Sequence, residues 1–281
     1  MTHKKWLAAL LATTLSLGML AGCGGSGGSS ASSENGGSED KVITIGASVT
    51  PHAVILNHFA DAFADAGYEL NVVEFTDYVQ PNNALEAGDL DANYFQHQPY
   101  LDNFNEENGT DIVSVGANMY IPMAIFSNTL TSLDNIPDGA TVAVPNDTTN
   151  EARALLLLQE NGFLTLKDGV DITATVRDIE ENPHNLDFVE LDAAQIPRSL
   201  QDCDLAVVNG NFALDAGLDL DEALLVEAGD SMTAQTYANV IAVRAGDENT
   251  EKTKTIVDIL TSDECKQYIE DSFGGAVLPT T

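Results

Sequence analysis

The chain has 281 residues, 44 of them Asp or Glu against 11 Lys or Arg, for a formal charge of −33. That balance excludes nucleic acid, whose phosphates call for clustered cations. It excludes equally an adsorbed anionic lipid surface, while 44% hydrophobic residues leave ample material for a packed core.

Residues 1–23 read as a bacterial secretion signal. Lys4 and Lys5 precede an apolar run over 6–20, which is shorter than the ~20 residues of a spanning helix. The run ends in Leu20-Ala21-Gly22-Cys23, which resembles a lipobox, so Cys23 is the expected lipidation site. Two acyl chains there would anchor the protein stably at the extracytoplasmic face of the cell membrane. Loss of the signal would leave nine cations against 44 acids. In the next segment, 24–40, 12 of 17 residues are Gly or Ser. It reads as a flexible tether with a span of ~20–25 Å. Of the other cysteines, Cys203 and Cys265 either pair outside the cytoplasm or stay as thiols.

From residue 41 on, β-branched runs alternate with helical periodicity. Strands are expected over 42–45, 70–75, 90–95, 112–115, 141–144, 172–176, 188–191, 205–208, 224–226 and 240–243, with an extended stretch over 121–126. Helices are expected from Thr50-Pro51 to Ala66, then over 81–88, 99–107, 150–161, 250–260 and 263–273. Such alternation implies an α/β protein with mainly parallel sheets. Its 241 residues suit two lobes better than one open sheet: 41–127 with 237–281 as lobe I, and 128–236 as lobe II. Ligands of such folds sit beyond the carboxyl ends of strands and in clefts between domains.

No nucleophile elbow, zinc-protease helix, P-loop or β-lactamase signature occurs, so no enzyme activity and no cofactor is expected. A metal cage drawn from His52, His58, His97 and His184 has no supporting spacing. Asp219-Leu220-Asp221-Glu222 lacks the glycine of a calcium loop and reads as a solvated turn. Scarcity singles out Arg153, one of four arginines past the signal, near a helix start with Asn150. A guanidinium there suits a carboxylate, although a salt bridge to a nearby or facing acid fits as well. Phe95, His97 and Tyr78 offer an aromatic wall near a strand end. Asn209 and Asn239 offer both donor and acceptor, though aromatics also simply pack and asparagines simply turn.

Four strings carry a resemblance: DYVQPNNALEAGDLDANYFQHQPYLD (77–102), VAVPNDTTNEARALLLLQENG (142–162), VVNGNFALDAGL (207–218) and YANVIAVRAGDE (237–248). They resemble the methionine-binding lipoproteins, the NlpA or MetQ family. The resemblance implies a periplasmic-binding-protein-like fold, two α/β lobes with two crossover segments. It also implies delivery of L-methionine to an ABC permease and its ATPase, with membrane contact through the lipid alone. Arg153 would hold the substrate carboxylate, Asn209 and Asn239 with Asn150 nearby would bridge its head group, and Tyr78, Phe95 and His97 would enclose the thioether. D-methionine, a methionine dipeptide or, in another class, a metal ion are the alternative ligands.

Overall fold

The structure, a computed structural model, describes residues 41–229 and 235–280. The signal, Cys23 and the 24–40 tether lie outside the described residues. In chain order the strands are β1 (Val42–Ser48), β2 (Glu69–Phe75), β3 (Ala92–His97), β4 (Ile112–Tyr120), β5 (Ala124–Phe126), β6 (Thr141–Pro145), β7 (Thr165–Leu166), β8 (Ile179–Glu181), β9 (Asp187–Leu191), β10 (Leu205–Val208), β11 (Leu225–Val226), β12 (Asn239–Arg244) and β13 (Leu278–Pro279). They form a six-stranded sheet ordered β13-β4-β12-β3-β1-β2 and a five-stranded sheet ordered β11-β5-β10-β6-β9, with β7 and β8 as a small hairpin-like pair.

Each large sheet is the centre of one lobe, because its strands alternate apolar side chains to both faces. In β1 and β3, Ile43, Ile45 and Tyr94 face a core shared with Phe63, Ile256 and Ile269. Phe95, one residue on, belongs to the opposite layer with Leu85, Leu101 and Phe104. In the second lobe Val142, Val144 and Val207 pack on Leu155 and Leu158. Ala143, Ala206 and Val208 face Ile196, Leu200 and Phe212 on the other side. Strands covered on both faces read as continuous apolar runs, which is how they show in the sequence.

Several expectations need correction. The sheets are mixed rather than mainly parallel: β1 is parallel to β2 and β3, and β6 to β9 and β10, but β12 runs antiparallel to β3 and β4, and β5 antiparallel to β10. Two of the antiparallel members, β5 and β12, are the strands on which the chain enters one sheet from the other. The chain leaves the six-stranded sheet after Tyr120 and joins the five-stranded one at Ala124, so β5 lies in the second lobe and the division comes before residue 127. It returns between Val226 and Asn239.

The alternation over 172–176 does not make a strand. Thr175 instead caps a short turn, its N–H and Oγ1 donating to Asp178 at 3.1 and 2.9 Å, and the strand β8 begins only at Ile179. The helix expected from residue 50 to 66 is in pieces: Thr50 is still extended within the entry turn Val49–Ala53, and the helices Val54–His58 and Ala60–Asp65 follow, parted at Phe59. Cys203 and Cys265 are both free thiols, packed in different cores.

One glycine ties the second lobe to the first crossover. Gly210 opens the short helix Gly210–Asp215, and a Cβ there would lie well inside van der Waals contact with Ile121 Cγ2 and the Pro122 carbonyl oxygen. Gly210→Ala is therefore expected to cost about 1–3 kcal/mol of stability, the usual range for overpacking, read as a lowered midpoint in thermal or urea unfolding. An unchanged midpoint would show that the crossover yields freely.

Candidate functional site

Four strand ends converge where the lobes meet. β3 ends at His97, β6 at Pro145 and β10 at Val208, all parallel-sheet members presenting their carboxyl ends, while β12 begins at Asn239 directly beside His97. The residues around these ends line a narrow cavity of about 20 Å³. Tyr78, Phe95, His97, Asn150, Arg153, Asn209 and Asn239 all line it, together with Tyr100, Ile121, Gly210 and Asn211. All seven residues singled out in the sequence thus border one cavity. Tyr100, Ile121 and Gly210 went unrecognised as lining residues.

Asp147 organises the polar half. As N-cap of the helix Thr148–Glu160, its carboxylate accepts from the Asn150 backbone N–H at 3.1 Å and from Asn150 Nδ2 at 2.9 and 3.1 Å. That fixes the amide orientation, since a carboxylate accepts and does not donate. Asn150 Oδ1 then accepts from Asn209 Nδ2 at 2.7 Å and from His97 Nε2–H at 3.1 Å. His97 Nδ1 accepts from the Tyr100 N–H at 3.2 Å, so the ring is neutral with its proton on Nε2. The helix begins two residues earlier than its periodicity suggested, because Asp147 takes the cap. Arg153 consequently stands in the second turn rather than the first.

Arg153 is paired. Its Nε donates to both oxygens of Glu227 at 3.1 Å, and Nη2 donates to Glu227 Oε2 at 2.5 Å and to the Ile121 carbonyl at 3.0 Å. The two side chains are 3% and 2% exposed. Glu227 also accepts from Tyr120 Oη and from the Met123 N–H. The guanidinium carbon lies 4.5 Å from the Tyr237 ring centroid and 5.5 Å from that of Tyr120. Burial raises the Glu227 carboxyl, but the charge and hydrogen bonds of Arg153 outweigh it and hold the group below its ordinary value. Burial lowers Arg153, and Glu227 more than reverses this, so both stay ionised. The salt bridge weighed for Arg153 in the sequence is present, with Glu227 as its acid. Nε and Nη2 are occupied by the protein, Nη1 makes no hydrogen bond among the described residues, and Arg153 borders the cavity. Nothing in the sequence flags Glu227, one acid among 44.

The other polar atoms divide into the occupied and the unpaired. His52, fully buried, donates from Nε2 to Asn239 Oδ1 at 2.8 Å, while Tyr78 Oη donates to Asn211 Oδ1 at 2.5 Å across the lobes. Asn209 Oδ1 and Asn211 Nδ2 are buried without a hydrogen-bond partner among the described residues. An unpaired buried acceptor and donor at one cavity mark a place for a polar ligand. Beside them Tyr78 packs on Phe95, Tyr100 and Phe212, with ring centroids 5.9, 5.7 and 4.7 Å apart. The site therefore joins a polar end to an aromatic end.

Burial keeps both histidines uncharged, pulling His52 down to about 4 and His97, with Arg153 adding to the effect, to about 3. In the unfolded chain both rings would take up protons near pH 6.5. Their contribution to stability is complete above that value and is lost as the pH falls toward 4 and then 3. The thermal midpoint should accordingly decline between pH 7 and 5. Over the same range nitrogen-detected imidazole spectra should show both rings as unchanged Nε2–H tautomers; protonation of either ring above pH 5 would contradict the assignment.

Residues 43–281 match the NlpA lipoprotein family. The chain is 45% identical over 215 residues to the D-methionine-binding lipoprotein MetQ of Salmonella typhi, covering 75% of this chain and 78% of that one. A crystal structure from Ruminococcus gnavus, described as that of a lipoprotein, superposes with a TM-score of 0.84 at 52% identity, over 86% of this chain and 100% of the other. A nutrient-binding protein of Burkholderia cenocepacia, solved bound to methionine, superposes with a TM-score of 0.80 at 44% identity, over 85% and 100%.

Proposed function

The chain belongs to the NlpA lipoprotein family, and from that membership and the cavity between its lobes we propose that it is the substrate-binding protein of an ABC importer, capturing L-methionine. A lipid on Cys23 would hold it at the extracytoplasmic face of the membrane, where it hands its ligand to a cognate permease and ATPase. The work is binding and release, without covalent chemistry.

The observation that carries this reading is the composition of the cavity: one cationic donor, an unpaired buried acceptor and an aromatic wall within a single enclosure. Arg153 Nη1 would donate to the ligand carboxylate, with Asn239 Nδ2 as a second donor. Asn209 Oδ1 would accept from the ammonium, supported by Asn150 behind it. The thioether would lie against Tyr78 and Phe95, where sulfur–aromatic contacts are favourable. Both nitrogens of His97 are engaged by protein groups, so its ring would meet the ligand by its face. Closure of the lobes over the ligand would then shift the population toward the form that the permease reads.

Mass spectrometry of the small molecules released from freshly purified, denatured protein is expected to find methionine. Calorimetry with ligand-stripped protein should rank L-methionine above D-methionine. Arg153→Lys keeps the charge beside Glu227 but lacks Nη1, so it is expected to weaken L-methionine binding at least about tenfold. Equal affinity in that variant would remove Arg153 from the ligand's contacts, and a different released ligand would overturn the substrate.

A further inference from the structure

Arg153 is the one ionised side chain among the residues that line the cavity. His97 is neutral by its hydrogen bonds, and the remaining polar members are amides and phenols. The charge of Arg153 is nevertheless not presented alone. Glu227 stands behind it with every carboxylate contact satisfied: Nε on both oxygens, and Nη2, Tyr120 Oη and the Met123 N–H on Oε2. Both members are almost wholly buried, so water screens neither. Asp147, a further carboxylate near the cavity, caps a helix N-terminus and accepts from Asn150, and burial nonetheless raises its carboxyl above the ordinary range.

We propose that Glu227 is a specificity-determining residue, which cancels the charge of Arg153 inside the cavity so that the site accepts an amino acid as a net-neutral zwitterion and rejects the same molecule once it carries a net charge. The inference rests on the amino-acid-binding reading above. A zwitterion brings one negative group to Arg153 Nη1 and one positive group to Asn209 Oδ1, and the enclosed charges still sum to zero. A ligand without its ammonium would bury an uncompensated negative charge, which a low-dielectric interior penalises heavily. Without Glu227 the balance reverses: the lone guanidinium is then neutralised best by a ligand of net charge −1. A residue that merely steadied Arg153 would leave this choice of ligand untouched.

The test uses the full chain in detergent, stripped of ligand, and two probes of nearly equal shape: L-methionine and 4-(methylsulfanyl)butanoate, which is methionine without its ammonium. Wild type should prefer methionine strongly. Glu227→Gln, nearly isosteric but uncharged, should narrow that preference at least about tenfold, whereas Glu227→Asp should keep it. A preference equal to the wild type's in Glu227→Gln would overturn the charge role while leaving the functional reading intact. Failure of methionine to bind the wild type would overturn that reading and the proposal with it. Should Glu227→Gln not fold, the double variant Arg153→Gln/Glu227→Gln preserves the charge balance. It is expected to retain the wild-type ratio at lower affinity, and a ratio narrowed there would count equally against the proposal.

Discussion

Two opposite charges with almost no access to water, Arg153 and Glu227, hold the junction of this protein together. Neither could be buried alone; removing one partner of such a pair typically costs about 3–5 kcal/mol because the other is left uncompensated. The pair persists because each member is also hydrogen-bonded to other groups. Glu227 takes donors from Tyr120 and Met123, which flank the first crossover, and Arg153 gives to the Ile121 carbonyl within it. The second crossover starts at Glu227 itself. One ion pair therefore fastens both passages between the lobes, and the same guanidinium faces the cavity. The first crossover and the cavity lining thus share one side chain.

Around this knot the other polar groups form a connected set of hydrogen bonds. Asp147 orients Asn150, which orients both His97 and Asn209, and His52 holds Asn239 from the opposite side. Asn209 and Asn211 are each committed by one end and open by the other, which leaves Asn209 Oδ1 and Asn211 Nδ2 unpaired. Ordering these groups in the folded protein spares the ligand that entropic cost on binding. The Tyr78–Asn211 hydrogen bond spans the lobes directly.

Much of this was legible in the sequence because β-α alternation sends strand ends to a common edge. Residues such as His97, Asn209 and Asn239, placed at strand ends by local pattern, had to come near one another once two sheets faced across a cleft. What stayed hidden depended on partners distant in the chain or on competing local hydrogen bonds. Glu227 meets Arg153 across 74 positions, and in a protein so rich in acids no spacing distinguishes it. Thr175 and Asp178 convert a strand-like stretch into a capped turn, and Asp147 begins a helix earlier than its apolar period shows. The short helix after Asn209 is a single buried turn that pattern alone does not separate from a loop.

The depth of the Arg153–Glu227 pair also separates this protein's inner electrostatics from its outer. Its many exposed carboxylates repel one another through solvent, and that repulsion fades within a Debye length as ionic strength rises. The enclosed pair feels no such fading, and a ligand without net charge gains little from long-range steering in either case. Capture in brine and capture in fresh water would therefore draw on the same contacts, with salt changing how the acidic shell behaves and leaving the grip of the cavity as it is.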